Sequence, residues 1–380
     1  MPGVRPDDLA IAFDGGGARA AYQVGLLRWL ARHYPNLRIP IITGLSAGAI
    51  NAVFLASHTG TPMAAVNELA QLWSELTLER VFRVDSASLM GNMWHWGLRL
   101  VAGGGAIAPP LRGMVDTAPL RHTLEQIFHA APHGEIAGIA RNLEEGRLRG
   151  LAIMTSSYAT GRAVAWVQGC DMEGWDRPFR ESVKARITVD HVMASASLPI
   201  LFPATRLNGA WYGDGGLRLS SPLSPALHLG ANRILAVSTR HDRGHAKPSL
   251  EEQYPPPLQI AGQILNAIYL DDNDREAFVL ERMNRLLAEL PPEKRHGMRV
   301  IDLVQIRPSQ DIGRLAAKFE PQLPLMFRHL VRGLGSRTSA DPDLLSMLIF
   351  EPGYLKELIE IGEADAGARA QDIARLVGEA

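Results

Sequence analysis

The sequence has very little cysteine and almost no net charge, and each shortage excludes a class of protein. Its 380 residues include one cysteine, and 39 basic residues are nearly balanced by 40 acidic ones. A single cysteine excludes a disulfide framework and makes a reducing compartment the expected location. A net charge of −1 gives no electrostatic reason to expect binding to nucleic acid. We therefore expect a cytoplasmic protein without a nucleic-acid partner.

Long apolar runs are also scarce. Residues 1–8 contain no apolar stretch after a basic region, so they are not typical of a signal peptide. Residues 39–57 carry no charge over nearly the length of a membrane-spanning helix, but Pro40, Gly44 and Gly48 interrupt them. We expect this stretch to form a buried strand, a turn and a helix instead.

Apolar spacing predicts an alternation of strands and helices in the first part of the chain. A five-residue apolar run, residues 9–13, predicts a buried strand, and residues 18–33 show helical spacing. The next pair is a strand over 39–43 and a helix over 47–58. This rhythm implies parallel strand pairing with helices on the faces of the sheet. Further predicted elements are helices over 66–81 and 190–197 and strands over 151–156, 163–167 and 233–238.

The character of the sequence changes near residue 245. Three consecutive prolines at 255–257 precede a long helical pattern over 258–290. A strand is predicted over 298–306, and most of the remainder is helical. We predict a catalytic domain over 1–245 and a mostly helical C-terminal extension over 246–380 that packs on it, although both parts could share one core.

The sharpest local motif is Gly44-Leu45-Ser46-Ala47-Gly48, which lies between a predicted strand and a predicted helix. A nucleophilic serine on such a tight turn needs small neighbours, and the helix that follows directs its N–H groups at the serine. In this context the motif predicts that Ser46 is a nucleophile.

A second glycine-rich turn, Asp14-Gly15-Gly16-Gly17-Ala18-Arg19, also joins a strand to a helix. Consecutive glycines can turn backbone N–H groups toward an anion, as an oxyanion hole requires. A nucleotide-phosphate cradle is the competing interpretation, although Ala20 stands where a third glycine is expected and no Walker lysine follows. Arg19 either anchors the loop, neutralises a phosphate, or is an ordinary solvated arginine.

A third turn, Gly213-Asp214-Gly215-Gly216, would by itself indicate no more than a turn. Together and in this order, the three turns resemble those of the patatin-like phospholipase family, in particular its bacterial members. The segments Ala194–Pro199, Phe202–Pro203 and Gly230–Leu235 fit the same family, and the resemblance covers roughly residues 9–239. Ala20 departs from it, since the loop of the family more often has glycine there.

The resemblance implies a three-layer α/β/α fold with a mainly parallel central sheet. It also implies a lipid acyl hydrolase with Ser46 as nucleophile and Asp214 as proton acceptor. The oxyanion hole would be formed by Gly15, Gly16 and Gly17. The substrates would be esters of phospholipids, lysophospholipids or acylglycerols, cleaved through an acyl-enzyme without metal or cofactor. The residues that support the motifs would be Arg19, Gly44, Gly48, Gly215 and Gly216.

Three alternatives remain at this point. A Ser–His–Asp esterase would need a downstream histidine, and none of the candidates lies in a recognisable turn motif: His191, His228, His241, His245, His296 and His329. A nucleotide- or phosphate-binding module would use the Gly15–Gly17 loop. A regulatory protein with an inactive site is disfavoured, because the serine, the aspartate and the glycines are all present.

The segment over 85–114 is rich in methionine, tryptophan and glycine, with Trp94 and Trp96 at its centre. We hypothesise that residues 88–107 form an apolar flap over the site or contact a membrane surface transiently. The sequence does not determine the head group, the acyl-chain length, the oligomeric state or the role of the C-terminal extension.

Overall fold

The computed structural model of the chain describes residues 8–83, 113–169, 174–218, 223–241, 273–325, 327–328 and 343–378. Within these ranges, ten strands form one sheet. The strands are β1 (Leu9–Phe13), β2 (Ile41–Leu45), β3 (Gly150–Ser157), β4 (Ala163–Gly169), β5 (Asp176–Arg177), β6 (Arg180–Lys184), β7 (Thr205–Leu207), β8 (Ala210–Asp214), β9 (Arg233–Val237) and β10 (Asp302–Ile306).

The sheet has a parallel half and a mixed half. Its order is β10-β9-β1-β2-β3-β4-β6-β5, with β8 on β3 and β7 on β8. The strands from β10 to β3 all run parallel, whereas β4 and β8 each run antiparallel to β3. All five residues of β1 are buried, because helices cover both faces of a parallel sheet and each face must be apolar.

Helices on both sides of the sheet complete three layers. They are α1 (Ala21–His33), α2 (Ala47–Ser57), α3 (Pro62–Ser74), α4 (Leu78–Val81), α5 (Ala118–Ile127), α6 (Ala137–Glu144), α7 (Val189–Ser195), α8 (Leu223–His228), α9 (Asn273–Glu289), α10 (Ile312–Ala317), α11 (Asp343–Leu348), α12 (Pro352–Ala368) and α13 (Ala370–Val377).

Two separate hydrophobic cores lie on the two faces of the sheet. Alternate β1 residues such as Ile11 and Phe13 join the core of α1, α2, α3 and α12. The residues between them, Ala10 and Ala12, join the core beneath α8. This arrangement of layers confirms the predicted α/β fold with a mainly parallel sheet and a helical C-terminal part.

Some predicted boundaries are wrong. The strand predicted over 39–43 begins only at Ile41, because Pro40 has no N–H to donate, and it continues through Leu45, which pairs with Met154 of β3. The helix predicted over 66–81 is two helices, α3 and α4, separated after Ser74. The strand predicted over 298–306 begins only at Asp302.

The C-terminal part adds both a strand and a helical layer to the same body. β10 is an edge strand beside β9, and α12 packs along α1. The two helices approach so closely that a Cβ atom on Gly25 would collide with the carbonyl oxygen of Ile359. Tyr22 Oη of α1 donates a hydrogen bond to Asp365 of α12 at 3.0 Å. The proposed division at residue 245 therefore crosses a shared sheet, and it stays a prediction.

Candidate active site

Ser46 occupies a strained position between β2 and α2. Its φ of 55° and ψ of −128° lie in a region that residues with a side chain rarely adopt. The Ser46 N–H donates a hydrogen bond to Ser195 Oγ at 3.0 Å, and Ser195 Oγ donates in turn to the Met154 carbonyl at 2.7 Å. Ser195 thus ties the strained turn to β3.

The glycines on either side of Ser46 are required by close packing. A Cβ atom on Gly44 would lie 2.6 Å from the Gly48 carbonyl oxygen and 2.7 Å from Ala52 Cβ. One on Gly48 would collide with the carbonyl oxygens of Phe13 and Asp14 at the end of β1. These contacts explain why glycines flank the serine. The start of α2 can lie directly beside the ends of two strands only if positions 44 and 48 carry no side chain.

The sheet brings Asp214 to Ser46 from the opposite direction along the chain. β4 covers one side of β3, so β2 and β8 both pair with its other side. β2 ends at Leu45 beside Met154, and the antiparallel β8 ends at Asp214 beside Thr155. The two strands therefore meet end to end, and Ser46 Oγ donates a hydrogen bond to Asp214 Oδ2 at 2.6 Å.

Asp214 lies in an environment that makes its carboxylate unusually basic. Its side chain is fully buried, and burial raises its pKa to about 7. Hydrogen bonds from Ser46 and from the Gly216 N–H, the latter 2.8 Å from Oδ1, favour the ionised form and oppose this rise. A pKa near neutrality suits a general base that must accept a proton from a hydroxyl.

The first glycine turn lies against Ser46. A Cβ atom on Gly15 would lie 2.9 Å from Ser46 Cβ, so the loop backbone borders the serine directly. Gly17 has a φ of 56°, which glycine adopts without strain. Among the described residues, no hydrogen bond uses the N–H of Gly15 or Gly16. The glycine turn that was predicted to form the oxyanion hole thus lies directly beside Ser46.

A buried polar network supports this loop from below. Gln23 Nε2 donates to the Asp14 carbonyl at 2.7 Å, and Asn51 Nδ2 donates to Gln23 Oε1 at 2.8 Å. Trp73 Nε1 completes the chain with a 2.8 Å hydrogen bond to Asn51 Oδ1. We did not predict these residues, and the only signal in the sequence is a polar residue within an apolar stretch of helix.

Arg19 is not the solvated arginine that one interpretation expected. Its side chain is 2 % exposed, because the C-terminal part of the chain covers it. Arg19 Nε donates a hydrogen bond to Ser346 Oγ of α11 at 2.6 Å. It therefore connects the glycine turn to a segment more than 300 residues further along the chain.

An apolar pocket opens at Ser46. Its cavity volume is about 50 Å³, and its lining is almost entirely apolar, with hydroxyl groups only on Ser46 and Thr123. Its walls come from α3, α4, α5, the segment 196–202 and the segment 347–350. An apolar lining of this kind favours apolar groups over polar ones.

The remaining predicted glycines lie at the same place. A Cβ atom on Gly215 would lie 2.5 Å from the Met154 carbonyl oxygen, and Gly216 supplies the N–H that binds Asp214. The structure thus brings together the predicted residues of all three turns. Ser195 and Ser197 belong to the segment 194–199, which resembles the family but was not predicted to be part of the site. Ser195 binds Ser46, and the Ser197 carbonyl accepts the Asp214 N–H at 3.0 Å.

No described histidine is hydrogen-bonded to Ser46 or Asp214. His191 instead closes a capping box with Thr188 and packs on Trp166, and burial lowers its pKa to about 4. His228 stacks on Trp175. The candidates His245 and His329, the predicted flap with Trp94 and Trp96, and the lone Cys170 lie outside the described residues.

In the described part of the chain, no group of His, Cys, Asp and Glu side chains is placed to hold a metal ion. No helix there has both the length and the apolar character needed to cross a bilayer.

The geometry of the three turns agrees with a comparison against protein families. The family model for patatin-like phospholipases matches residues 11–227, which is more than half of the chain and contains Ser46, Asp214 and the glycine loop. The chain therefore belongs to the patatin-like phospholipase family. A comparison with curated proteins gives no significant match.

Solved structures align with this chain at low sequence identity. VipD from Legionella pneumophila aligns over 98 % of this chain and 67 % of its own, with 12 % identity and a TM-score of 0.41. Human GIVD cytosolic phospholipase A2, bound to methyl gamma-linolenyl fluorophosphonate, aligns over 98 % of this chain and 59 % of its own, with 14 % identity and a TM-score of 0.45. The family assignment rests on the family model and not on these similarities.

Proposed function

We propose that this protein is a lipid acyl hydrolase that cleaves carboxylic esters of phospholipids, lysophospholipids or acylglycerols through a Ser46–Asp214 dyad. The observation that carries the proposal is the 2.6 Å hydrogen bond from Ser46 Oγ to a fully buried carboxylate, at the mouth of an apolar pocket. The proposed reaction uses protein groups and water and requires no cofactor.

In the first half of the reaction, Ser46 Oγ attacks the ester carbonyl carbon while its proton passes to Asp214 Oδ2. The N–H groups of Gly15, Gly16 and Gly17 stabilise the negative charge that develops on the carbonyl oxygen. The intermediate collapses as the bond to the leaving alcohol breaks, and Asp214 returns the proton to that oxygen. Ser46 then carries the acyl group as an ester.

In the second half, water takes the place of the alcohol. Asp214 accepts a proton from this water as its oxygen attacks the acyl-enzyme carbonyl carbon. Breakage of the bond to Ser46 Oγ releases a fatty acid, and the proton held by Asp214 restores the serine hydroxyl. An exposed aspartate would be a poor base for either step, so the raised pKa of Asp214 supports this assignment.

We also propose that the protein contacts lipid surfaces transiently. Tyr158 directly follows β3, which pairs with β8, and Trp211 lies in β8 itself, the strand that ends at Asp214. The side chains of Tyr158 and Trp211 are 47 % and 46 % exposed. Large aromatic side chains with a polar atom favour the interface between water and lipid. They would place the mouth of the site near its substrate without a membrane-spanning helix.

The test is labelling with a fluorophosphonate, followed by fatty-acid release from a panel of phospholipids, lysophospholipids and acylglycerols. We expect labelling and turnover in the unchanged protein, neither in Ser46→Ala, and strongly reduced turnover in Asp214→Asn. The matched controls are Ser74→Ala and Asp176→Asn, which change a half-buried serine and an exposed aspartate.

Labelling that persists in Ser46→Ala would show that another residue is the nucleophile. Tight nucleotide binding in a protein that the fluorophosphonate does not label would favour the phosphate-binding alternative instead.

A further inference from the structure

The pocket beside Ser46 is completed by a part of the chain that lies beyond the family-matched residues. The family model ends at residue 227, yet Met347, Leu348 and Phe350 line the pocket. All three side chains are at most 8 % exposed. The pocket is thus formed by two regions that are distant in sequence.

This C-terminal wall is fixed to the glycine turn. The Met347 carbonyl lies where a Cβ atom on Gly17 would be, so the two backbones are in direct contact. One residue earlier, buried Ser346 accepts the hydrogen bond from Arg19 Nε at 2.6 Å. Contact at two adjacent positions holds the wall at a set distance from Ser46.

Phe350 is held in place by other aromatic rings. Its ring lies 6.4 Å from that of Phe82 in an edge-to-face arrangement, and Phe82 also packs on Phe202 at 5.7 Å and on Phe327 at 5.2 Å. Phe202 and Phe350 both face the pocket. Phe350 therefore has little freedom to move away from a ligand.

We propose that the segment 347–350 is the wall of the pocket that selects the length of the acyl chain, with Phe350 as its main determinant. The inference rests on the proposed acyl hydrolase function, and it adds to that function the part of the protein that contacts the acyl chain. The expected occupant is the unbranched aliphatic chain of the ester, because the lining is almost entirely apolar and its hydroxyl groups are only those of Ser46 and Thr123.

The experiment measures kcat/KM for p-nitrophenyl butyrate, octanoate, dodecanoate and palmitate. We compare the unchanged protein with Phe350→Ala, Phe350→Trp and the control Phe319→Ala. Phe319 is a matched phenylalanine of the same C-terminal region that packs on Tyr354 and does not line the pocket.

We expect Phe350→Ala to move the preferred ester to a longer chain and Phe350→Trp to a shorter one. Burial of one methylene corresponds to about a fourfold change in binding, so a difference of two methylenes changes the ratio of long-chain to short-chain kcat/KM by about fifteenfold. Phe319→Ala should leave that ratio unchanged.

Butyrate hydrolysis is the folding control, because the three carbons beyond its carbonyl carbon reach less of the wall than the longer chains do. Chain-length profiles that coincide in all four proteins, while butyrate is still hydrolysed, would overturn the role of the wall and leave the Ser46–Asp214 proposal intact. If the unchanged protein hydrolyses none of the esters and is not labelled by a fluorophosphonate, the proposed function fails and this inference fails with it.

Discussion

The burial of Asp214 makes a prediction about stability that does not depend on any substrate. The carboxyl has a pKa of about 7 in the folded protein, against 3.8 as the ordinary value. Between these values the unfolded chain has lost the proton and the folded protein retains it. Stability from this group is therefore fully present below pH 3.8 and is lost as the pH rises through about 7.

The size of the effect follows from the difference between the pH of the solution and the pKa of Asp214 in the folded protein. At pH 5.5 the carboxyl lies about 1.5 units below a pKa of about 7, and each unit corresponds to about 1.4 kcal/mol. Asp214 should thus contribute about 2 kcal/mol at pH 5.5 that is absent at pH 8.5. Asparagine cannot ionise. The free energy of unfolding of Asp214→Asn, relative to that of the unchanged protein, should therefore rise by about 2 kcal/mol from pH 5.5 to pH 8.5.

The assay is urea denaturation of both proteins at pH 5.5 and pH 8.5, with the difference between the two proteins taken at each pH. Taking this difference removes the contribution of every other titrating group. Asp176→Asn, at an exposed position, should show no such gain. An equal pH dependence in Asp214→Asn and the unchanged protein would refute the claim that a buried carboxyl with a raised pKa lies beside Ser46.

Three further outcomes are expected. Because Asp214 must be ionised to act as a base, kcat/KM should increase about tenfold per pH unit below pH 7 and level off above it; a pH–rate profile without an inflection near 7 contradicts this assignment. Gly17→Ala should lose most turnover and about 1–3 kcal/mol of stability in urea, because its Cβ atom would collide with the Met347 carbonyl; full activity contradicts the described loop. His191→Ala should keep turnover within a few-fold after correction for the folded fraction, and near-total loss with the fold intact would favour a catalytic histidine.

The local geometry of the turns could be predicted from the sequence because it depends on short-range sterics. A serine between two glycines, after an apolar run and before a helix, can adopt the strained turn that Ser46 adopts. The glycine turn at residues 15–17 was predictable for the same reason. The α/β class followed from the alternation of apolar runs with helical spacing, since a strand buried on both faces must be apolar throughout.

Element boundaries were less predictable. Apolar spacing continues across the break between α3 and α4, so the pattern alone predicted one helix over 66–81. Likewise the residues before Asp302 are apolar enough for a strand, although pairing with β9 begins only at Asp302. Hydrogen-bond partners on neighbouring elements decide these limits, and spacing within one segment does not report them.

Taken alone, the sequence determined the fold class and the residue types at each turn, because both depend on neighbours a few positions apart. Only the tertiary structure decided that Ser46 and Asp214 meet, because β2 and β8 must pair with the same side of β3 for their ends to touch. It also decided the pKa of Asp214, which depends on burial by distant elements, and the closure of the pocket by residues 347–350. Burial and long-range contact depend on the whole packed chain, and no local pattern contains them.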